Sequence, residues 1–434
     1  MTIQMPRSLL RACWDARQAL HDHRRAPLLN LLRDARERNL TSFSCPGHKG
    51  GSGADPEFVE HLGSDLLASD LWLNAGSFSR ALRAAERLGA DAWGAERAFY
   101  LVNGSSSGNH ALLMAALGPG DEIVVARDIH ASLLTALILT GARPVYVTPR
   151  FDPATGISTG IHPADVAITL DRHPRAKLVA LVRPNYYGAT SDLPGIVREA
   201  HSRGVPVYVD EAWGPHLHFH PALPGSAMAS GADAAVTSAH KLLGSLSQAS
   251  LLLLRGPRLD HARVATAVAM TQTTSPLLPV LVSIDTARRQ MALDGELLVE
   301  RTIHLSHDAR RRISQLPGIS VLDGIEGLDR TRLVIDVRGL GLTGYAAERL
   351  LRNRLGIAPE MSDHMNVVCL ISIGDTPESI ERLVGGFGEL VGYRRSSAAQ
   401  PRPHNRCALG PIVAGDPQCL LPGKPSSAQP GRCR

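Results

Sequence analysis

A chain of 434 residues, 44% apolar and 20% charged, has room for a large core and two or three domains, the profile of a globular enzyme. Aromatics are only 4%, too few for a base-stacking nucleic-acid surface, and no apolar run reaches the roughly 18 residues of a membrane span. The formal charge of +5 sits at one end: residues 396–434 hold five arginines and lysines against Asp416 alone, so the rest is nearly neutral and offers nothing to a polyanion. The six cysteines are scattered, with no CxxC pair. That argues against a disulfide framework and a zinc site, and for a reducing cytoplasm.

In chain order, residues 6–38 are predicted helical. Leu9, Leu10, Trp14, Leu20, Leu28, Leu31 and Leu32 form an apolar stripe among arginines, as in a packing arm on this chain or a partner subunit. Phe43–Gly51 is a loop by its Pro and Gly content, and His48 and Lys49 suit either an anion or a plain turn. A helix over 79–97 and a strand Ala98–Val102 lead into Asn103-Gly104-Ser105-Ser106-Ser107-Gly108-Asn109-His110, then a helix to Leu117. A strand, a Gly/Ser turn and a helix start can cradle a phosphate on backbone N–H groups and hydroxyls; the serines would equally serve as helix caps. No GK[ST] follows, so this is not a nucleotide P-loop.

Strand Glu122–Val125 runs into Arg127-Asp128-Ile129-His130, and a helix to Leu139 and a strand near Val145–Val147 follow. His130, just past a strand end, is placed to stack on a ring or to serve structurally. A helix His162–Arg172, a strand Leu178–Val182, the loop Arg183–Leu193 and a helix Pro194–Arg203 come next. The alternation indicates a doubly wound, mostly parallel sheet. Beyond it lie Thr271–Pro276 and a long helix over 277–315. Then comes a smaller α/β unit, with strands near Val321, Leu333–Val337 and Val367–Ile373 and helices Gly344–Leu355 and Pro377–Leu390. The stretch 396–434, with seven prolines and no aromatic, is expected to be poorly ordered. The expected organisation is a helical arm over 1–40, a large domain over 41–290, a small α/β domain over 291–395 and a tail.

The centre of the chain is Val205–Leu254. One buried-strand pattern ends in Asp210; another, Ala234–Val236, ends in Ser238-Ala239-His240-Lys241. Ligands of open α/β sheets sit at the carboxyl ends of strands, so an acid and an amine are predicted to share one crevice. Pyridoxal phosphate (PLP) needs that pair: a lysine to hold it as a Schiff base and a carboxylate for its pyridinium nitrogen. A surface lysine and an acidic helix cap are the plain structural alternative for each residue alone.

PGHKGG, LVNGSSSGN, RDIHAS, RPNYYGATSDL, VDEAWGPHLHFHPALPGSAM, SAHK, TQTTSP and ISIGDT occur in that order. With these motifs the chain resembles the Orn/Lys/Arg decarboxylases, PLP enzymes of the aspartate-aminotransferase fold (fold type I), over roughly residues 40–392. The resemblance implies a fold type I large domain with a smaller C-terminal α/β domain, and decarboxylation of arginine, lysine or ornithine. It implies that Lys241 carries the cofactor, Asp210 pairs with the ring nitrogen and His130 stacks on the ring. Ser105, Ser106, Ser238 and His240 would hold the phosphate, with Trp213 near the phenolic oxygen. Glu360 and Asp363 are candidates for the substrate's distal cation. Thr273 and Thr274 would reach across the interface of a homodimer or higher oligomer. Serines stand where the family often has threonines, and Phe43-Ser44-Cys45 where it often has Phe-His-Thr. The last 39 residues do not read as the small folded domain that ends many members, and truncation or a shifted frame would account for that. Two alternatives stay open. One is an aminotransferase, which would need an arginine for the α-carboxylate that no motif marks. The other is a catalytically impaired regulatory partner.

Overall fold

The computed structural model describes residues 21–38, 41, 43, 45–62, 75–153 and 155–393; of the segment 6–38 expected to be helical, residues 6–20 fall outside them, as does the tail, and the described part becomes helical only from Pro27. The first half of the chain runs α1 (Pro27–Glu37), α2 (Ala75–Ala92), β1 (Arg97–Leu101), α3 (Gly104–Ala116), β2 (Glu122–Ala126), α4 (Ala131–Thr140) and β3 (Arg143–Val147). A small hairpin β4 (Arg150–Phe151) and β5 (Ser158–Gly160) precedes α5 (Pro163–Arg172), β6 (Leu178–Val182), α6 (Leu193–His201) and β7 (Val207–Asp210). Then come β8 (Ala234–Thr237), α7 (Ala239–Leu242), β9 (Ser250–Leu254), α8 (His261–Thr271) and α9 (Leu278–Ile313). The remainder is β10 (Ser320–Val321), β11 (Arg332–Asp336), α10 (Gly344–Arg354), β12 (Met361–Ser362), β13 (Asn366–Leu370) and α11 (Pro377–Tyr393). The helix expected over 79–97 thus starts earlier and stops at Ala92, where Gly94 takes φ +66° and turns the chain into β1.

Seven strands form one sheet in the order β1-β9-β8-β7-β6-β2-β3. The run from β8 to β3 is parallel; β9 lies antiparallel between β8 and β1. Both faces are covered, and alternate residues show it. Val124, Val179, Val207, Val209 and Leu253 enter one core, while Ile123, Val125, Leu178, Ala180, Val236 and Leu252 enter the other. Each of the valines, leucines and isoleucines so taken out of water contributes about 1.5–3 kcal/mol, which is why short strands can hold the sheet.

The second sheet is antiparallel, ordered β10-β11-β13-β12. Leu333, Ile335, Val367 and Cys369 face one cluster; Val334 and Val368 face another. Helix α9 runs unbroken past position 290, touching α1, α2 and β1 at one end and β10, β11 and α11 at the other. The described part of the arm packs on its own chain. Leu28 and Leu32 are buried, and Asp285 of α9 accepts from Leu28 N at 2.9 Å. Arg288, ion-paired with Asp285 at 2.7 Å, donates to His23 O and Arg25 O.

Candidate active site

Because β1, β2, β6, β7 and β8 run the same way, their carboxyl ends open onto one side of the sheet, and β9 starts there. The segments that follow enclose a cavity of about 370 Å³. It is lined by Ser105 and Ser106, His130, Asp210, Trp213, and by Ser238, His240 and Lys241. Eight residues singled out by motif thus meet in one place, from four different strand ends.

Lys241 lies on the four-residue helix α7, directly after β8. Its Nζ sits 3.7 Å from the centroid of the Trp213 ring. Burial pulls the ammonium down, Asp210 opposes that, Arg332 adds to it and Glu360 opposes it; the outcome is a pKa of about 8. Asp210 closes β7 and is 3% exposed. Its Oδ2 accepts from Asn109 Nδ2 at 2.9 Å and its Oδ1 from Ala212 N at 3.1 Å. The next residue, Glu211, faces the opposite way as strand geometry requires, and accepts from Ala227 N at 2.7 Å.

Helix α3 points its N-terminus at the cavity, with Gly104 at φ +70° and its N–H bonded to Gln248 O. Ser105 Oγ bonds Ser238 Oγ at 2.7 Å and Ser250 Oγ at 3.2 Å, while His240 Nδ1 meets Ala249 O at 2.8 Å. Hydroxyls at a helix N-terminus form an anion site. His130 caps α4, its Nδ1 accepting from Ser132 N at 3.1 Å. An amine able to shed its proton, a buried carboxylate and an anion cradle in one cavity are the donor set that PLP requires, so these residues fit that cofactor. Among the described residues no His/Cys/Asp/Glu cluster could hold a metal ion, and no helix is long and apolar enough to cross a membrane.

Four other candidates lie outside the cavity lining. Glu360 is exposed and near enough to influence Lys241, Arg332 and Tyr186. Asp363 accepts from Tyr187 Oη at 2.8 Å and from Met365 N, Asn366 N and Asn366 Nδ2, which makes it a turn-fixing carboxylate. Thr273 and Thr274 are exposed, on a segment held by Gln272, whose side chain bonds Tyr100 O and Val102 N of β1 and its exit.

Sequence reasoning passed over Asn109, Ser132, Tyr186 and Arg332. Asn109 stands four residues after Ser105 on α3, one helical turn and the same face, which is the signal that could have found it. Arg332 opens β11 and is 1% exposed. Its Cζ lies 4.4 Å from the Trp213 ring centroid, on the indole that also contacts Lys241. Its terminal nitrogens donate to Asn185 O, Tyr186 O and Trp213 O. An arginine engaged with three carbonyls is not presented to a substrate carboxylate as an aminotransferase would need.

Residues 26–332 match the family model described as Orn/Lys/Arg decarboxylase, major domain. The arginine decarboxylase of Halalkalibacterium halodurans is 40% identical over 390 residues, 87% of this chain and 79% of that one. That of Bacillus subtilis is 40% identical over 379 residues, 84% of this chain and 77% of the other. Among solved structures, the Francisella novicida lysine decarboxylase superposes with a TM-score of 0.75 at 24% identity, covering 84% of this chain and 59% of that chain. The Escherichia coli constitutive lysine decarboxylase gives 0.73 at 24%, covering 85% and 61%. The chain therefore spans about three fifths of those two longer proteins, whose likeness carries the fold. With the family model matched through both α3 and α7, and two relatives matched over most of their length, this chain belongs to the Orn/Lys/Arg decarboxylase family.

Proposed function

We propose that the protein is a PLP-dependent decarboxylase that converts a basic amino acid, arginine first among arginine, lysine and ornithine, to its amine and CO2. The observation that carries this reading is the meeting of Lys241, buried Asp210 and the Ser105–Ser238 cradle in one cavity. Family membership supports it, and arginine is favoured because the two relatives at 40% identity are arginine decarboxylases.

Lys241 would hold the cofactor, its amine free of a proton in a useful fraction near neutral pH. Bound there, PLP supplies an electron sink for the bond that breaks at Cα. Asp210, kept in place by Asn109 and Ala212, would pair with the ring nitrogen. Ser105, Ser106, Ser238 and His240 would receive the phosphate. His130 would cover one face of the ring, and Trp213 would line the side where Lys241 rests. Orientation is the main contribution of such a site, and good positioning can be worth roughly 7–11 kcal/mol. Glu360, exposed and near enough to act on the Lys241 ammonium, is the better candidate acceptor for a distal cation, since Asp363 is committed to its own turn. We further propose a homodimer in which Thr273 and Thr274 reach the neighbour's cavity.

The test pairs a spectrum with product analysis. Wild-type protein with PLP should show the visible absorbance of the lysine-linked cofactor and yield agmatine from arginine. K241A should lose both. Retained absorbance in K241A would remove Lys241 from its role. A protein that binds PLP yet releases no amine from any of the three amino acids would end the decarboxylase reading.

A further inference from the structure

Beside the cavity runs a chain of hydrogen bonds whose directions are forced. Asp210, when ionised, can only accept, so the group of Asn109 that meets its Oδ2 at 2.9 Å is the amide Nδ2. The amide's Oδ1 therefore faces Tyr208 Oη, which donates to it at 2.5 Å. The second Nδ2 proton goes to Ser132 Oγ at 2.7 Å. Both protons of Asn109 are then placed. Ser132 Oγ has one proton left, and its remaining neighbour is His130 Nδ1, also at 2.7 Å. The backbone N–H of Ser132 points at the same nitrogen from 3.1 Å. A proton on Nδ1 would face that N–H head on, so Nδ1 is an acceptor. In a neutral imidazole, what one nitrogen accepts decides where the proton sits. A neutral His130 so held would carry its proton on Nε2, and the ring lines the cavity. Asn109 is 0% exposed and Ser132 6%, so solvent does not compete for these bonds.

We propose that Asn109 and Ser132 are positioning residues: they hold His130 as the Nε2–H tautomer, so that it offers the cavity a donor, and they tie that donor to the carboxylate of Asp210. The two cofactor-facing groups are thereby set by one framework. An amide cannot pass a proton along readily, so the chain orients and does not conduct. His130 would give a hydrogen bond from Nε2 to a group beside Cα, and would not act as a base from that nitrogen. This inference rests on the PLP reading for its catalytic meaning, and on hydrogen-bond geometry for the tautomer.

The test reads the tautomer directly. The full chain is prepared with 15N-labelled histidine, with and without PLP, and H130N identifies the His130 signals. Wild type should show a bare Nδ1 and a protonated Nε2 in both preparations. S132A keeps the residue-132 backbone N–H on Nδ1 but loses the hydroxyl donor, so a minor Nδ1–H population should appear beside Nε2–H, and kcat should fall about tenfold, the worth of one buried hydrogen bond. Its KM should stay within about twofold, because binding groups are untouched. S132T keeps a hydroxyl and should restore both readouts. N109A should move them in the same direction as S132A. A wild-type His130 protonated on Nδ1 would overturn the proposal, even if every variant failed to fold. So would S132A with the tautomer and kcat of wild type. A protein that takes up no PLP would end the functional reading instead, while the spectrum of the cofactor-free chain still decides the tautomer.

Discussion

Lysine is a nucleophile only in the fraction that has lost its proton. An ordinary lysine near pKa 10.4 leaves roughly one amine in a thousand neutral at pH 7.4; at a pKa of about 8 the fraction is about one in five. Burial is the main cause of that lowering, with Asp210 and Glu360 favouring the charged form and Arg332 opposing it. The rate at which cofactor-free protein captures PLP should therefore rise with pH through about 8. Glu360 is exposed, so E360Q removes one of the two acids without disturbing a core. The midpoint should move further down in E360Q. Stopped-flow absorbance across pH measures it, and a midpoint that stayed or rose would show that Glu360 does not act on this amine. Lys241 and Asp210 were legible because each closes a strand pattern within a few residues. Asn109 and Arg332 were not, since the contacts that give them meaning lie 101 and 119 residues away in sequence. Arg332 in sequence is only a cation before an apolar strand, and Asp363 reads alike as a substrate acceptor or a turn lock.

Helix α3 is the element that carries the cradle, and its fit to the sheet sets where Ser105 and Asn109 stand. Gly108 is the contact point. A Cβ there would lie 2.6 Å from Val236 Cγ2 and 2.9 Å from Leu101 Cδ1. Val236 is β-branched, on a central strand, and has little freedom to turn away. G108A would gain about 1 kcal/mol of helix propensity and lose about 1–3 kcal/mol to overpacking. The loss is expected to win, with a lower urea midpoint and weaker PLP binding as α3 lifts from β8. A variant as stable as wild type with unchanged affinity would mean the helix shifts without cost. From sequence this glycine read as part of a phosphate turn; its packing role needs the neighbouring strand. Parallel strands were legible because apolar runs alternate with helices, but SLLLL looks the same in either direction, so the antiparallel β9 was hidden. Strands β4, β5 and β12, of two or three residues, are too short to show a period.

At the scale of the whole molecule, the family motifs and strand–helix alternation announced two sheets, but the joint between them was invisible. It includes a fully buried polar cluster. His216, from the segment after β7, pairs with Asp329 at 3.2 Å. Thr331 donates its hydroxyl to the same carboxylate at 2.7 Å, and Arg332 Nε stands 4.0 Å away. None of these four residues belongs to an apolar pattern, and only the fold brings His216 to Asp329, 113 residues on. Burial by itself would raise the Asp329 carboxyl, but His216, Arg332 and Thr331 outweigh it and hold the group at about 2. A carboxyl lower in the folded than in the unfolded chain stabilises the fold above its unfolded pKa of about 3.9, and that stability is lost as pH falls towards about 2. The whole contribution is about 2.5 kcal/mol. D329N retains size and one oxygen to accept from Thr331 but has no such titration, and at neutral pH it should be the less stable protein. The stability gap between wild type and D329N, from urea unfolding, should narrow by about 1 kcal/mol between pH 7 and pH 3. Groups that do not touch Asp329 titrate alike in both proteins and cancel in the difference, and the same pair made in an H216Q background removes the one imidazole that does. A gap that held constant down to pH 3 would mean that the carboxylate is not the charge that fastens the second sheet to the first.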